Sequence, residues 1–180
     1  MADLHPDLAR VLVSEDTIQA HVKVLAHQIS QDYAGEEIYL VGVLRGAFIF
    51  LADLTRHLTV PHVVDFMSVS SYGKSTQSGA VRIVMDLREA IVDKHVIIVE
   101  DIVDSGKTLS YLQEMLQGRN PASLRTCSLV QKPKETDNMS VDYLGFKIPD
   151  VWVVGYGLDY ADKHRTLPFI AELNESVYTK

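Results

Sequence analysis

Apolar runs of strand length alternate with runs of helical periodicity along this chain. Strand-like runs lie at residues 38–44, 63–69, 95–99 and 124–130, and helical runs at residues 18–33, 47–54 and 106–117. Buried strands that alternate with amphipathic helices are typical of an α/β fold with a mostly parallel central sheet flanked by helices. Because no linker or internal repeat divides the chain, we expect a single domain over residues 1–180.

Single residues predict several of the boundaries. Ser14 precedes the first helical run and can cap it, and Gly35 and Gly118 follow the first and third runs. Further strands are predicted at Val81–Met85 and at residues 151–154. In open α/β sheets ligands bind beyond the carboxyl ends of the strands. Three unusual segments lie at such ends, namely residues 44–46, 100–108 and 152–159.

The charge balance limits the partners of the protein. Lys and Arg number 17 against 24 Asp and Glu, which gives a formal net charge of −7. An acidic chain of this kind is a poor candidate for sequence-independent nucleic-acid binding. The most apolar stretch, residues 38–54, is interrupted by Arg45 and Asp53, and the acidic N-terminus lacks the cations of a signal peptide. We therefore expect a soluble, cytoplasmic protein that binds neither nucleic acid nor membrane.

The segment HVIIVEDIVDSGKTL, residues 95–109, carries the strongest chemical signal. Its end is similar to a nucleotide-binding P-loop, but Asp101 replaces the first glycine of that motif. The turn from Asp104 to Thr108 leads into a helix, whose N-terminal N–H groups favour a phosphate. The preceding carboxylates suit sugar hydroxyls, and they tolerate a nearby phosphate when a divalent cation lies between them. Both halves together fit a ligand such as ribose 5-phosphate.

The sequence VIIVEDIVDSGKTL resembles the 5-phosphoribosyl 1-diphosphate loop of type I phosphoribosyltransferases. Four further segments narrow the resemblance to the hypoxanthine-guanine phosphoribosyltransferases over residues 36–170: LVGVLRGAFIF, SVSSYGKSTQSG, SLVQKPK and IPDVWVVGYGLDYADKHRTLP. The resemblance implies the type I fold with a small hood, and a homo-oligomer, dimer or tetramer. It also implies purine salvage with Mg2+ as cofactor. The enzyme would transfer a phosphoribosyl group from 5-phosphoribosyl 1-diphosphate to hypoxanthine or guanine, giving IMP or GMP and pyrophosphate.

The resemblance also implies a role for each matching residue. Asp104 would be the general base or acid at purine N7, with Glu100 and Asp101 on the ribose hydroxyls. The expected donor-sugar and pyrophosphate site consists of Leu44, Arg45, Gly46, Ser71, Tyr72, Asp104, Ser105, Gly106, Lys107, Thr108 and Arg165. The expected purine site consists of Lys132 at the 6-oxygen, Trp152 stacked on the base, Val153 at the base edge through its backbone, and Asp159 near the exocyclic side. The expected magnesium ligands are Glu100, Asp101 and Asp159.

The chain departs from the family pattern in the pyrophosphate loop, where the resemblance implies a non-proline cis peptide. It has Arg45 and Ala47 where many members have Lys-Gly-Gly. Arginine still binds oxyanions, in a forked geometry. Ser71 and Tyr72 begin a polar segment that closes over the site in the family and excludes water from the reactive sugar.

Two alternatives are open on the sequence alone. One is a phosphoribosyltransferase that prefers xanthine or accepts all three oxo-purines. The other is a transcriptional regulator of the same fold, which binds the sugar donor and a nucleic acid. The presence of Asp104, Lys132, Trp152 and Asp159 favours a working purine site, and the net charge of −7 disfavours a nucleic-acid surface.

Overall fold

The computed structural model describes residues 4–71, 81–133 and 140–179. The strands in this part of the chain are β1 (Leu8–Val13), β2 (Ile38–Leu44), β3 (His62–Ser71), β4 (Val81–Met85), β5 (His95–Val103), β6 (Ser123–Gln131), β7 (Tyr143–Lys147), β8 (Val153–Val154) and β9 (Ile170–Leu173). The helices are α1 (Glu15–Asp32), α2 (Phe48–His57), α3 (Lys107–Gln117) and α4 (Glu175–Tyr178). Tyr72 lies outside the described residues, and so does the side chain of Ser71.

A six-stranded sheet forms the centre of the molecule, in the order β4-β3-β2-β5-β6-β7. Every neighbouring pair is parallel except β3 with the edge strand β4, which is antiparallel. The predicted α/β fold with a mostly parallel sheet is therefore confirmed. Because the central strands run in one direction, β2 and β5 end at the same edge of the sheet and bring their following loops together.

Helices cover both faces of this sheet, which explains the nearly continuous apolar strands. Ile38 and Leu40 of β2 belong to the core cluster that contains the buried residues of α1 and α2. Tyr39 and Val41 alternate with them and pack in a second cluster with α3. Ser14 caps α1 as predicted, since its Oγ accepts a hydrogen bond from the Thr17 N–H at 3.3 Å.

A separate three-stranded antiparallel sheet, β1-β9-β8, forms the hood. Periodicity did not predict β1, β7 or β9, and only residues 153–154 of the strand expected at 151–154 are extended. The pairing of β1 with β9 joins Leu8 to Leu173, which are distant in sequence. In the described residues, no helix is long and apolar enough to cross a membrane.

Strand β5 is longer than its apolar run, so two of the acidic residues belong to the strand. The sequence predicts that the strand ends at Val99, but it continues to Val103. Glu100 pairs with Ser128 of β6, and Ile102 pairs with Val130. Ladder hydrogen bonds therefore extend the strand through its polar residues, and two of the carboxylates lie on the sheet rather than in a turn.

Candidate active site

A cavity of about 300 Å3 opens at the carboxyl edge of the central sheet. We call it the sugar cavity, after the ligand that the resemblance implies for its lining residues. It is lined by Val43, Leu44, Arg45, Gly46, Val69, Glu100, Asp101, Ile102, Val103, Asp104, Ser105, Gly106, Thr108 and Leu109. The lining thus joins the end of β2 and its loop to the end of β5 and the start of α3.

The turn between β5 and α3 places the N-terminus of the helix at the sugar cavity. Gly106 is the N-cap of α3 and has a left-handed backbone with φ 72°, which glycine adopts without steric cost. The unpaired N–H groups at a helix N-terminus attract anions. Ser105, Gly106 and Thr108 line the sugar cavity, whereas Lys107 is exposed and is not part of that lining.

Two adjacent acids form the inner wall of the sugar cavity. Glu100 is only 6% exposed. Burial raises the pKa of Glu100 well above its usual range, and the neighbouring Asp101 carboxylate raises it further by repulsion and a hydrogen bond. Burial also raises the pKa of Asp101 to about 6, although the Ile102 and Asp101 backbone N–H groups and Arg165 act in the opposite direction. The pair therefore resists carrying two negative charges unless a cation lies nearby.

The loop after β2 packs directly on these acids. The peptide bond between Leu44 and Arg45 is cis, as the resemblance implies. A side chain at Gly46 would overlap the Asp101 carboxylate, so a larger residue at this position would force that carboxylate to move. Ala47 is fully buried at the start of α2, where its methyl group is accommodated. The departure from the Lys-Gly-Gly pattern is therefore compatible with the close contact at Gly46.

A second loop packs against the first and carries Arg165. A side chain at Gly157, which has φ +103°, would overlap the carbonyl oxygen of Gly46. Arg165 Nη1 donates to the Gly157 carbonyl at 2.5 Å, and its Nη2 lies 2.6 Å from Asp159 Oδ1. The Tyr156 hydroxyl donates to Asp53 Oδ2 at 2.6 Å and ties this loop to α2. These contacts bring Arg165 to the Gly46 side of the sugar cavity.

A second cavity, of about 420 Å3, shares Asp104 with the first. We call it the base cavity, because the resemblance implies that Lys132 and Trp152 of its lining contact the base. Its lining consists of Asp104, Lys132, Asp150, Val151, Trp152, Glu172, Glu175 and Tyr178. Sequence reasoning missed Asp150, Glu172, Glu175 and Tyr178, which tertiary contacts bring from the segment before β8, from β9 and from α4.

Lys132 lines the base cavity beside Asp104, the residue that the two cavities share. Its backbone N–H donates to the Val103 carbonyl at 3.0 Å, which places the residue beside the end of β5. Its side chain is 9% exposed, and Nζ lies 3.9 Å from Asp104 Oδ2 and 3.5 Å from Asp150 Oδ1. A largely buried ammonium group therefore faces a cavity that also has acids in its wall.

Trp152 forms the aromatic wall of the base cavity. Its ring centroid lies 5.6 Å from that of Tyr160 and 5.7 Å from that of Tyr178. The indole is 49% exposed, so a large part of it is free to contact a ligand. The carbonyl of Trp152 accepts from the Leu173 N–H at 2.8 Å, which fixes the residue on β9.

Two predicted purine contacts do not line the base cavity. Val153 is 6% exposed and pairs with Glu172 inside the hood sheet. Asp159 lies on the Arg165 side, where Oδ2 accepts the Asp162 N–H at 2.8 Å. Asp159 is close enough to Asp101 to raise the pKa of that carboxyl. The structure thus groups Asp159 with the sugar-side acids.

Comparisons with known proteins agree with this geometry. A family model described as the phosphoribosyl transferase domain matches residues 14–161. The hypoxanthine-guanine phosphoribosyltransferase of Mycobacterium tuberculosis is 47% identical over an alignment of 186 residues, gaps included, that covers 98% of this chain and 92% of that protein.

Solved structures give the same result. Hypoxanthine phosphoribosyltransferase from Staphylococcus aureus has a TM-score of 0.92 and 42% identity, covering 98% of this chain and 97% of its own. A structure of Trypanosoma cruzi hypoxanthine phosphoribosyl transferase, which concerns the role of the C-terminal region in oligomeric state and enzymatic activity, has a TM-score of 0.90 and 40% identity. It covers 98% of this chain and 96% of its own. The chain therefore belongs to the hypoxanthine-guanine phosphoribosyltransferase family.

Proposed function

We propose that the protein transfers the phosphoribosyl group of 5-phosphoribosyl 1-diphosphate to hypoxanthine or guanine, giving IMP or GMP and pyrophosphate. The observation that carries this proposal is the position of Asp104, which lines both the sugar cavity and the base cavity. A carboxylate at this junction can reach the base while the base is next to the sugar. General acid–base catalysis requires such a geometry.

Asp104 is the proposed general base. As purine N9 bonds to ribose C1, the bond from C1 to the pyrophosphate oxygen breaks and its electron pair leaves with pyrophosphate. The proton on N7 passes to Asp104. The positive charge that develops on the ribose is stabilised by negative charge nearby, and Glu100 and Asp101 line the same cavity. These two residues also accept hydrogen bonds from the ribose hydroxyls in our proposal.

The two ends of the donor have separate binding groups. The 5-phosphate binds at the turn formed by Ser105, Gly106, Lys107 and Thr108, where the N-terminus of α3 favours an anion. Pyrophosphate binds at Leu44, Arg45 and Gly46 together with Arg165. Two contacts support this assignment. Gly157 packs onto the Gly46 backbone, and Arg165 donates to the Gly157 carbonyl. Ser71 and Tyr72 remain proposed donor contacts by resemblance.

The base cavity supplies selectivity for oxo-purines. Lys132 donates to the 6-oxygen, which excludes adenine because its 6-amino group is itself a donor. Trp152 stacks on the base, in line with its half-exposed indole. Val153 and Asp159 remain proposed purine contacts, although Asp159 is held by Arg165 in this structure.

Magnesium is the proposed cofactor, and the acids fit it. Glu100 and Asp101 have raised pKa values because they are buried together, and Asp159 adds repulsion at Asp101. Hard oxygen ligands of this kind suit Mg2+. When bound, the ion neutralises and orients the phosphate charge of the donor. We also propose self-association, in keeping with the family, and no nucleic-acid partner.

The experiment is a turnover assay with the donor sugar and hypoxanthine, guanine, xanthine or adenine. We expect IMP and GMP to form with magnesium, no turnover in excess chelator, and recovery when magnesium is restored. Adenine should be a very poor substrate. Unchanged activity in chelator would contradict the metal assignment. Binding of the donor without turnover of any base would instead support a regulator, and a preference for xanthine would change the assigned substrate.

A further inference from the structure

The carboxylate of Asp162 lies between two arginines that belong to different loops. Its Oδ1 is 2.8 Å from Arg45 Nη2 and 3.3 Å from Arg165 Nη2. Arg45 comes from the loop after β2, and Arg165 comes from the loop that packs on it. One oxygen atom therefore joins the two cations to which we assign the pyrophosphate of the donor.

The backbone holds Asp162 in this position. Its N–H donates to Asp159 Oδ2 at 2.8 Å. Tyr160 and Lys163 close the turn around it, with N–H to carbonyl distances of 3.3 and 3.0 Å. The φ angle of Asp162 is 62°, a left-handed conformation that aspartate tolerates better than most residues. The carboxylate is thus presented to the arginines by an ordered turn.

The two ion pairs are exposed enough to be exchanged for a ligand. The side chains of Asp162 and Arg45 are 63% and 70% exposed, so solvent screens their attraction. Arg165 is 17% exposed and keeps two further partners, Asp159 and the Gly157 carbonyl, when Asp162 leaves. A diphosphate carries more negative charge than one carboxylate and offers more oxygens to two guanidinium groups.

We propose that Asp162 is an internal competitor for the pyrophosphate subsite. It pairs with Arg45 and Arg165 when the subsite is empty and must be displaced when a diphosphate binds. This inference rests on the proposed function, because that function assigns the two arginines to pyrophosphate. The competition weakens the binding of both the donor diphosphate and the product pyrophosphate, and so favours product release.

The test is the affinity of the magnesium-loaded protein for inorganic pyrophosphate, measured by calorimetry. Asp162→Asn removes the charge and keeps the shape, and Asp162→Gly is a second variant suited to the left-handed backbone. We expect both to bind pyrophosphate about 3- to 10-fold more tightly, the effect of removing two screened ion pairs that compete with the ligand. Pyrophosphate should also become a stronger product inhibitor in turnover.

Glu89→Gln is the matched control. Glu89 is 64% exposed, pairs with Lys94, and precedes β5 at the opposite edge of the sheet. It loses the same charge, and we expect its pyrophosphate affinity to stay at the wild-type value. If the control variant bound pyrophosphate more tightly by the same factor, the effect would come from net charge alone, and the inference would be overturned. Unchanged or weaker binding in both Asp162 variants, with normal wild-type turnover, would overturn it as well. A wild-type protein with neither turnover nor pyrophosphate binding would overturn the proposed function itself.

Discussion

The sugar cavity and the base cavity meet at Asp104, yet they are built in different ways. Most of the sugar-cavity lining comes from residues 100–109, one continuous stretch, with a second stretch at residues 43–46. The base cavity draws its lining from the end of β6, from the segment before β8, from β9 and from α4. The first site is therefore formed mainly by one stretch of sequence, whereas the second exists only after the hood has folded onto the sheet.

The two cavities also differ in how we expect substitutions to affect them. In the sugar cavity, backbone approaches closely at Gly46, where an added methyl group would overlap Asp101. In the base cavity, we assign contact with the base to the side chains of Lys132 and Trp152, which are part of the lining. We therefore expect a substitution in the sugar cavity to alter whether the reaction proceeds, and a substitution in the base cavity to alter which base reacts. Three substitutions test this division, in order of decreasing expected effect.

Asp104→Asn should have the largest effect, because this residue serves both cavities. Asparagine keeps the shape but cannot accept a proton at neutral pH. General acid–base catalysis contributes about 10²- to 10⁴-fold, so kcat should fall by about that factor. Affinity for the donor sugar should change much less, because the phosphate turn is intact. The measurement is kcat together with the donor Kd.

Glu100→Gln and Asp101→Asn are the comparison variants for Asp104→Asn. Both residues line the sugar cavity and neither lines the base cavity. We expect them to lower donor affinity and the rate of the chemical step together. Near wild-type turnover of Asp104→Asn, combined with an inactive neighbour, would show that the base has been misassigned and that the three carboxylates need other roles.

Lys132→Met should affect the base cavity alone. The change removes a largely buried donor, and leaving the purine 6-oxygen without its partner costs about 1–3 kcal/mol, or roughly 5- to 150-fold in affinity. Binding of hypoxanthine should weaken by that factor, while the donor Kd stays near the wild-type value. Lys94→Met, at the opposite edge of the sheet, controls for the lost charge. Equal loss of base and donor affinity would contradict the division between the cavities.

The difference between a site formed mainly by one stretch of sequence and a site assembled from distant segments also explains what could be predicted from the sequence. The phosphate turn and its acids are contiguous, so the motif at residues 100–108 is visible in the sequence alone. Glu172, Glu175 and Tyr178 gave no such signal, because only the antiparallel pairing of the hood brings them to Lys132. His164 is a second example of a contact that the sequence does not show. Its Nε2 lies 2.9 Å from Asp7 Oδ2, although the two residues are 157 positions apart in sequence.

Local polarity was misleading at the end of β5. The strand prediction stopped at Val99 because Glu100 and Asp101 are charged, but pairing with β6 carries β5 on to Val103. The partner that decides this conformation is distant in sequence, and spacing along the chain does not show it.

Trp152→Leu should have a smaller effect than Asp104→Asn or Lys132→Met, and it should act only on base affinity. Leucine keeps an apolar wall but removes the aromatic face, and aromatic pairing is worth about 0.5–1.5 kcal/mol beyond area burial, or roughly 2- to 13-fold. The KM for hypoxanthine should rise by about that factor, and the KM for the donor should not. Trp152→Phe keeps a ring at the same position and should recover most of the loss. If the leucine and phenylalanine variants were equally impaired, the indole would matter for packing against Tyr160 and Tyr178 rather than for stacking on the base. The base cavity would then depend on the hood as a scaffold, and its contrast with the sugar cavity would lie in stability rather than in substrate recognition.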